Sequence, residues 1–270
     1  MTSIIRVATA VNKVRPANSV ACLDALWESV EELRGQSPDI ILFPCLSLSG
    51  AQCGSFFNSA ALIEDAEEAM ERLCLLSAEL PCYLVAGLPL DDGGRGVSAM
   101  AVIQGGAVRG IIPALDAPKE LFAHGLSRRL LPIDSVFRCG NLSFSVLAGD
   151  ISALPRRMHL LKDCGCDLVL APSCEAATAG SYVRGKAAAR RVSADYGVAV
   201  AVANCGAGEV SSPSFYRGWC GVWECGKELC LECSDGGAVS AICDIDCDII
   251  RAKKQAAHSS AVPIYSTYAS

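Results

Sequence analysis

Short, nearly continuous apolar runs alternate along this chain with segments whose apolar residues recur every three to four positions. SIIRVATAV comes first, with Arg6 its only charge; Val20, Leu23, Trp27, Val30 and Leu33 follow at helical spacing, stopped near Gly35, and DIILFP comes next. That order predicts a β-α-β start. A second helix is expected over 64–79. The runs CYLVAGLPL, VSAMAVIQ and AVRGIIP then read as strands, the last two joined at Gly105-Gly106 as a hairpin, so pairing should be mixed. NLSFSVLAG, a helical stretch over 155–164, DLVLAPS, a helix over 184–196, VAVAVAN, a hairpin near 219–233 and AVSAICDID complete the pattern. Strands this apolar must be covered on both faces, which predicts an α/β fold of sheets packed between helices. Periodicity fades in QAAHSSAVPIYSTYAS, so the expected organisation is one domain over 1–255 and a C-terminal tail over 256–270.

Composition narrows the function classes. The chain of 270 residues is 51% hydrophobic and 19% charged, enough apolar surface to offset its ordering entropy as a globular body. A net charge of -6, with Lys and Arg scattered, gives no footprint for nucleic acid or for an anionic membrane. No stretch approaches the roughly 20 apolar residues that span a bilayer, and no basic segment precedes the first run as in a secretory signal. A soluble, cytoplasmic protein is expected. The 16 cysteines sit mostly within apolar runs, so reduced, buried thiols are the better reading than a disulfide scaffold.

Three motifs invite metal or phosphate chemistry. Cys225, Cys230 and Cys233, with Cys220 upstream, have a C-x4-C-x2-C spacing also found in plant-type iron-sulfur ligation. WCGVWECGKELCLEC nevertheless reads as strand, turn, strand, which sets its thiols on alternate faces and leaves a cluster or zinc site as the lesser alternative. His124, His159 and His258 form no ligand pattern and are expected at the surface or at caps. Gly93, Gly94 and Gly96 in DDGGRG read as a loop tip rather than a phosphate cradle. No metal and no cofactor is expected.

From Ile5 to about Arg251, the succession DIILFPCLSLSG, CYLVAGLPL, AMAVIQGGAVRGIIP, FSVLAGD, CDLVLAPS and VAVANCGAG resembles the nitrilase, or carbon-nitrogen hydrolase, superfamily. SLSGAQCGSFF and SYVRGKAAARR are similar, within it, to the glutaminase domain at the N-terminus of glutamine-dependent NAD synthetases. The resemblance implies a four-layer αββα sandwich, homodimers or higher oligomers, and a glutamate-lysine-cysteine triad that hydrolyses C–N bonds as base, oxyanion stabiliser and nucleophile. Carried onto this chain, the glutamate position falls on Cys45 in LFPC, the lysine position on Ala114 in IIPA and the cysteine position on Gly149 in FSVLAG. Alanine can donate nothing and glycine cannot attack. No cysteine lies between Gly140 and Asp163 to replace the nucleophile, whereas Lys119 and Glu120 stand a few residues past Ala114, Glu120 matching a second glutamate of that loop. Asn204 in VANCGAG matches a superfamily turn at the pocket rim, with a plain turn as the equal alternative.

The expectation is thus a pseudoenzyme: a glutaminase-like domain that acts in binding, assembly or regulation, with a separate synthetase or amidotransferase as a possible partner. The alternative is an amidase or glutaminase working through Cys45, whose pocket would include Lys119, Glu120, Asp150 and Asn204. A chain with no selected activity is the third reading.

Overall fold

The computed structural model describes residues 4–91, 93–114, 130–161, 164–206, 208–209 and 215–259, with backbone alone for 257–259. Lys119, Glu120 and His124, like the segment beyond 259, lie outside the described residues.

Two six-stranded sheets stack face to face. The first holds β1 (Ile4–Val11), β2 (Ile40–Leu42), β3 (Tyr83–Asp91), β4 (Gly96–Gln104), β5 (Ala107–Pro113) and β12 (Val239–Asp246), in the order β12-β1-β2-β3-β4-β5. The second holds β6 (Phe137–Cys139), β7 (Leu142–Val146), β8 (Leu168–Ser173), β9 (Ala199–Asn204), β10 (Gly218–Glu224) and β11 (Lys227–Ser234), in the order β11-β10-β9-β8-β7-β6. Parallel strands in the middle of each sheet, β1-β2-β3 and β7-β8-β9, are flanked by antiparallel pairs, so the pairing is mixed as the Gly105-Gly106 turn predicts.

Helices cover the outer faces. On the first sheet lie α1 (Ser19–Arg34) and α2 (Ala60–Leu76), capped by the Asn18 and Ser59 side chains that accept from Ala21 and Leu62 N–H. Their buried Leu23, Leu26, Val30 and Leu73 pack on Ala8, Ile41, Leu84 and Ala101. The second sheet is covered by the short α3 (Leu154–Arg157) and by α4 (Ser181–Tyr196), which ends in an αL glycine, Gly197. The innermost core lies between the sheets, where Val7, Leu42, Val85 and Met100 meet Phe144, Leu170, Ala201 and Val222. Three apolar layers between four layers of structure make the expected αββα sandwich.

Three expectations need correction. The second helix begins four residues before and ends three residues before the 64–79 read from periodicity, its start set by the Ser59 cap. The stretch 155–164 is a broken series, a 3-10 turn at Ile151–Ala153, α3, and a second 3-10 turn at Met158–Leu161, rather than one helix. The chain does not turn into a tail at 256: α5 (Cys247–Ser259) runs through that boundary. Lys254 anchors it, its ammonium 2.8 Å from Asp167 and also donating to the carbonyls of Gly165 and Cys166. Among the described residues, no helix is long and apolar enough to cross a membrane.

Candidate functional site

The central strands run parallel, so their C-terminal ends gather at one edge of the sandwich, where loops from both sheets enclose a cavity of about 790 Å³. Open α/β sheets place ligands at this edge. Cys45 reaches it from just after β2, Ala114 from the end of β5, and Gly149 from just after β7, so the three positions singled out in the sequence line one cavity. The first two are buried and Gly149 is half-buried.

Local backbone contacts fix each position. Leu46 turns the chain at φ +54° directly after Cys45, and the following loop folds back on β3, where Leu48 N–H donates to Gly87 O at 2.9 Å and Gly87 N–H to Ser47 Oγ at 2.9 Å. Only glycine fits at 87, because a Cβ there would stand 2.2 Å from Leu46 N. Ala114 N–H donates to Ser98 O at 2.8 Å, holding the end of β5 against β4. Gly149 N–H extends the pairing with β8 by donating to Pro172 O at 2.9 Å, and its φ of +124° belongs to a region that side chains disfavour.

Arg157 occupies the space beside Gly149. The chain leaves Gly149 through Asp150, whose carboxylate caps the next turn by accepting from Ser152 N–H at 2.8 Å, and one further turn brings Arg157 back over the strand end. Its Nη2 donates to Ala148 O and its Nη1 to Asp150 O at 3.0 Å, while a Cβ on Gly149 would lie 2.8 Å from Nη1. A guanidinium therefore stands where a side chain at 149 would emerge. Across from it, Glu175 follows β8 and accepts from Ser152 Oγ at 2.8 Å. Burial, together with repulsion from Asp150, raises the Glu175 pKa above the ordinary carboxylate value. Arg95 and Arg157 thus face Asp150 and Glu175 in a cavity of mixed charge.

A thiol wall completes the site. Cys174 lines the cavity and its Sγ donates to Cys45 O at 3.0 Å. The hydrogen bond with Cys205, in which Cys174 holds its proton, and burial push the Cys174 thiol well up, so it stays protonated near neutral pH. Asn204, expected at the rim, is not part of this wall. It is buried behind it, its Oδ1 accepting from Glu175 N–H at 2.8 Å and its Nδ2 donating to Glu175 O at 3.1 Å and Arg217 O at 3.2 Å. That side chain holds Glu175 in place, with both amide hydrogens spent on backbone carbonyls.

Sequence reasoning missed Arg157, Glu175, Arg95 and Cys174. Glu175 stands directly after the apolar run DLVLAPS, a strand-end position that could have drawn notice; Arg157 comes to the cavity only through the turn after Asp150. Of the other motifs, Cys230 faces the layer between the sheets beside Val222, while Cys233 pairs with Trp219 on the opposite face. Cys220 and Cys225 pack on that same inner layer, so only Cys233 departs to the other face rather than the thiols alternating as expected; among the described residues no three His, Cys, Asp or Glu side chains gather as a metal site. His159 is exposed, with Nδ1 2.8 Å from Arg156 O.

No family model matches the chain. The glutamine-dependent NAD(+) synthetases of Mycobacterium bovis and Mycobacterium tuberculosis are each 25% identical over 277 aligned residues, covering 93% of this chain and 40% of the synthetase. The chain therefore spans less than half the length of these curated relatives. Among solved structures, the glutamine-dependent NAD+ synthetase of Acinetobacter baumannii superposes with a TM-score of 0.77 at 18% identity, over 92% of this chain and 46% of the synthetase. The amidase of Nesterenkonia sp. AN1, captured as a variant with butyramide, superposes with a TM-score of 0.72 at 19% identity, over 96% of this chain and 97% of the amidase. Another variant of that amidase is described as a member of the nitrilase superfamily. The structural neighbours of this chain are nitrilase-superfamily amidases and glutamine-dependent NAD synthetases, and its fold is theirs.

Proposed function

We propose that this nitrilase-fold, glutaminase-like chain binds a small ligand in its strand-end cavity without hydrolysing it, and serves in assembly or regulation. The observation that carries the reading is the cavity itself. It is large enough for a small metabolite and is lined by Cys45, Ala114 and Gly149, the residues that the sequence resemblance sets at the base, stabiliser and nucleophile positions, while Arg157 fills the space into which a side chain at 149 would emerge. Removing one member of such a constellation already lowers turnover by orders of magnitude. The resemblance to NAD synthetases supports a synthetase or amidotransferase as the partner class, and the superfamily resemblance supports a homodimer or higher oligomer as the working form.

Ammonia release from glutamine, acetamide and butyramide, followed beside a thermal-shift titration with the same compounds, tests the reading. The expected result is a shift with at least one compound and no turnover above the uncatalysed rate. Turnover on the order of one per second would sink it.

A second reading, hydrolysis of a small amide through Cys45, is favoured by one observation: the Cys45 residue lines the cavity. Against it stands the neighbouring Cys174 thiol, which keeps its proton and is a poor base. Turnover that disappears in Cys45→Ser would support this second reading over the first.

A further inference from the structure

Cys230 in β11 and Cys243 in β12 lie on consecutive strands that belong to different sheets, yet they come close in the sandwich. In the β10–β11 ladder Cys230 pairs with Val222, and in the β1–β12 ladder Cys243 pairs with Val7. Val222 and Val7 both point into the layer between the sheets, and paired residues share a face, so both thiols point there too. β11 and β12 are the last strands of their respective sheets and lie against one another. The two sulfurs therefore meet at the open rim of the inner layer, where a thiol-thiol hydrogen bond joins them and neither residue is fully buried.

From this juxtaposition we propose that Cys230 and Cys243 form a reactive dithiol, which a low-molecular-weight disulfide oxidises to a bond fastening the free edge of one sheet to that of the other. The hydrogen bond from Cys243 S–H lowers the Cys230 pKa against the opposing effects of burial and of Glu232 and Glu228, while Cys243 holds its own proton more tightly. One sulfur is thus prepared to attack and the other to resolve. The Cys230 thiolate displaces one thiolate from the small disulfide, forming a mixed disulfide, and the departing thiolate takes up the proton Cys230 has released. Cys243 then attacks the Cys230 sulfur, loses its proton to the second departing thiolate, and completes the protein disulfide. Two protein thiols are oxidised and one small disulfide is reduced to two thiols.

The neighbouring cysteines are poorer candidates. Cys220 faces the same layer but is fully buried, its Sγ turned toward Val239 O and its pKa pushed up to about 12 chiefly by burial. Cys233 lies on the other face.

The test is incubation of the native protein with oxidised glutathione near neutral pH, then alkylation and peptide mapping without reduction. The expected product links the Cys230 peptide to the Cys243 peptide, loses two alkylatable thiols, reverts with dithiothreitol, and is missing from both Cys230→Ser and Cys243→Ser. The oxidised protein should melt higher by roughly 5 °C, since the bond removes loop-closure entropy from the unfolded chain between the two strands. A lasting glutathione adduct on Cys230 with Cys243 still alkylatable overturns the proposal. So does a principal cross-link to Cys220, two thiols that stay reduced, or an oxidised form that melts no higher than the reduced one. Mapping of the wild-type protein decides the matter even if a serine variant folds poorly.

Discussion

Gly149→Ala perturbs the cavity at its most constrained point, and its cost can be worked from two separate contacts. Backbone strain comes first: φ at 149 is +124°, and holding a residue with a side chain there costs about 1–3 kcal/mol. Displacement of Arg157 comes second, because the new Cβ would lie 2.8 Å from Nη1 and 3.0 Å from Nη2, which already serve the carbonyls of Asp150 and Ala148. Hydrogen bonds from a charged group contribute about 1.5–3 kcal/mol each, but the guanidinium can swing into the open cavity and regain water, so a net loss of about 1 kcal/mol is expected. The variant should be destabilised by about 2–4 kcal/mol, a fall in Tm of roughly 5–15 °C for a chain of this size. In an Arg157→Met background the second cost vanishes, which leaves a coupling of about 1 kcal/mol. Urea denaturation of wild type, both single variants and the double variant, at equal slopes, measures it. A cycle additive to within about 0.5 kcal/mol would refute the claim that Arg157 occupies the space above Gly149.

Three further outcomes follow from contacts already described. Asp167 lies in part-buried surroundings that would raise its carboxyl, but hydrogen bonds from Lys254 and from Ser143 outweigh burial and lower its pKa. Its contribution is present above the unfolded value near 3.9 and is lost as pH falls through the lower folded value, so Asp167→Asn should cost about 2 kcal/mol at pH 7, and that cost should shrink as pH is lowered below about 3.9, read by urea unfolding across the range. Glu209, buried, accepts from Ala51 N–H and from Gln52 N–H at 3.0 Å; Glu209→Ala should cost about 2 kcal/mol and speed hydrogen exchange at those two amides before others in the loop. Gly87→Ala, which sets a methyl 2.2 Å from Leu46 N, should cost more than about 3 kcal/mol and shrink the thermal shift given by any cavity ligand.

The fold was legible because its strands are nearly continuous apolar runs ended by Pro, Gly or Asn, and those ends are where Cys45, Ala114 and Gly149 fall. What escaped reading depends on the third dimension. The α5 helix buries Cys247 and Ile250, but its next turn, Lys253, Lys254 and Gln255, is polar and shows no apolar spacing, so periodicity marks no helix there, and its tie to the sheet, Lys254 to Asp167, joins residues far apart in sequence. Arg157 looks like a surface arginine in PRRMH, and only the turn capped by Asp150 carries it over Gly149. Asn204 was drawn to the rim by its motif, whereas its amide is spent on backbone groups behind it.

Because Cys45 and Ala114 belong to one sheet while Gly149 and Glu175 belong to the other, any molecule held in the cavity touches both halves of the sandwich at once. Such a molecule acts as a thermodynamic bolt: it binds the assembled halves and not the unfolded chain, and at a hundred times its Kd it adds about 2.7 kcal/mol to the unfolding free energy. The melting curve of the protein is for that reason a general reporter of occupancy, able to rank candidate ligands by affinity whether or not any bond in them is broken.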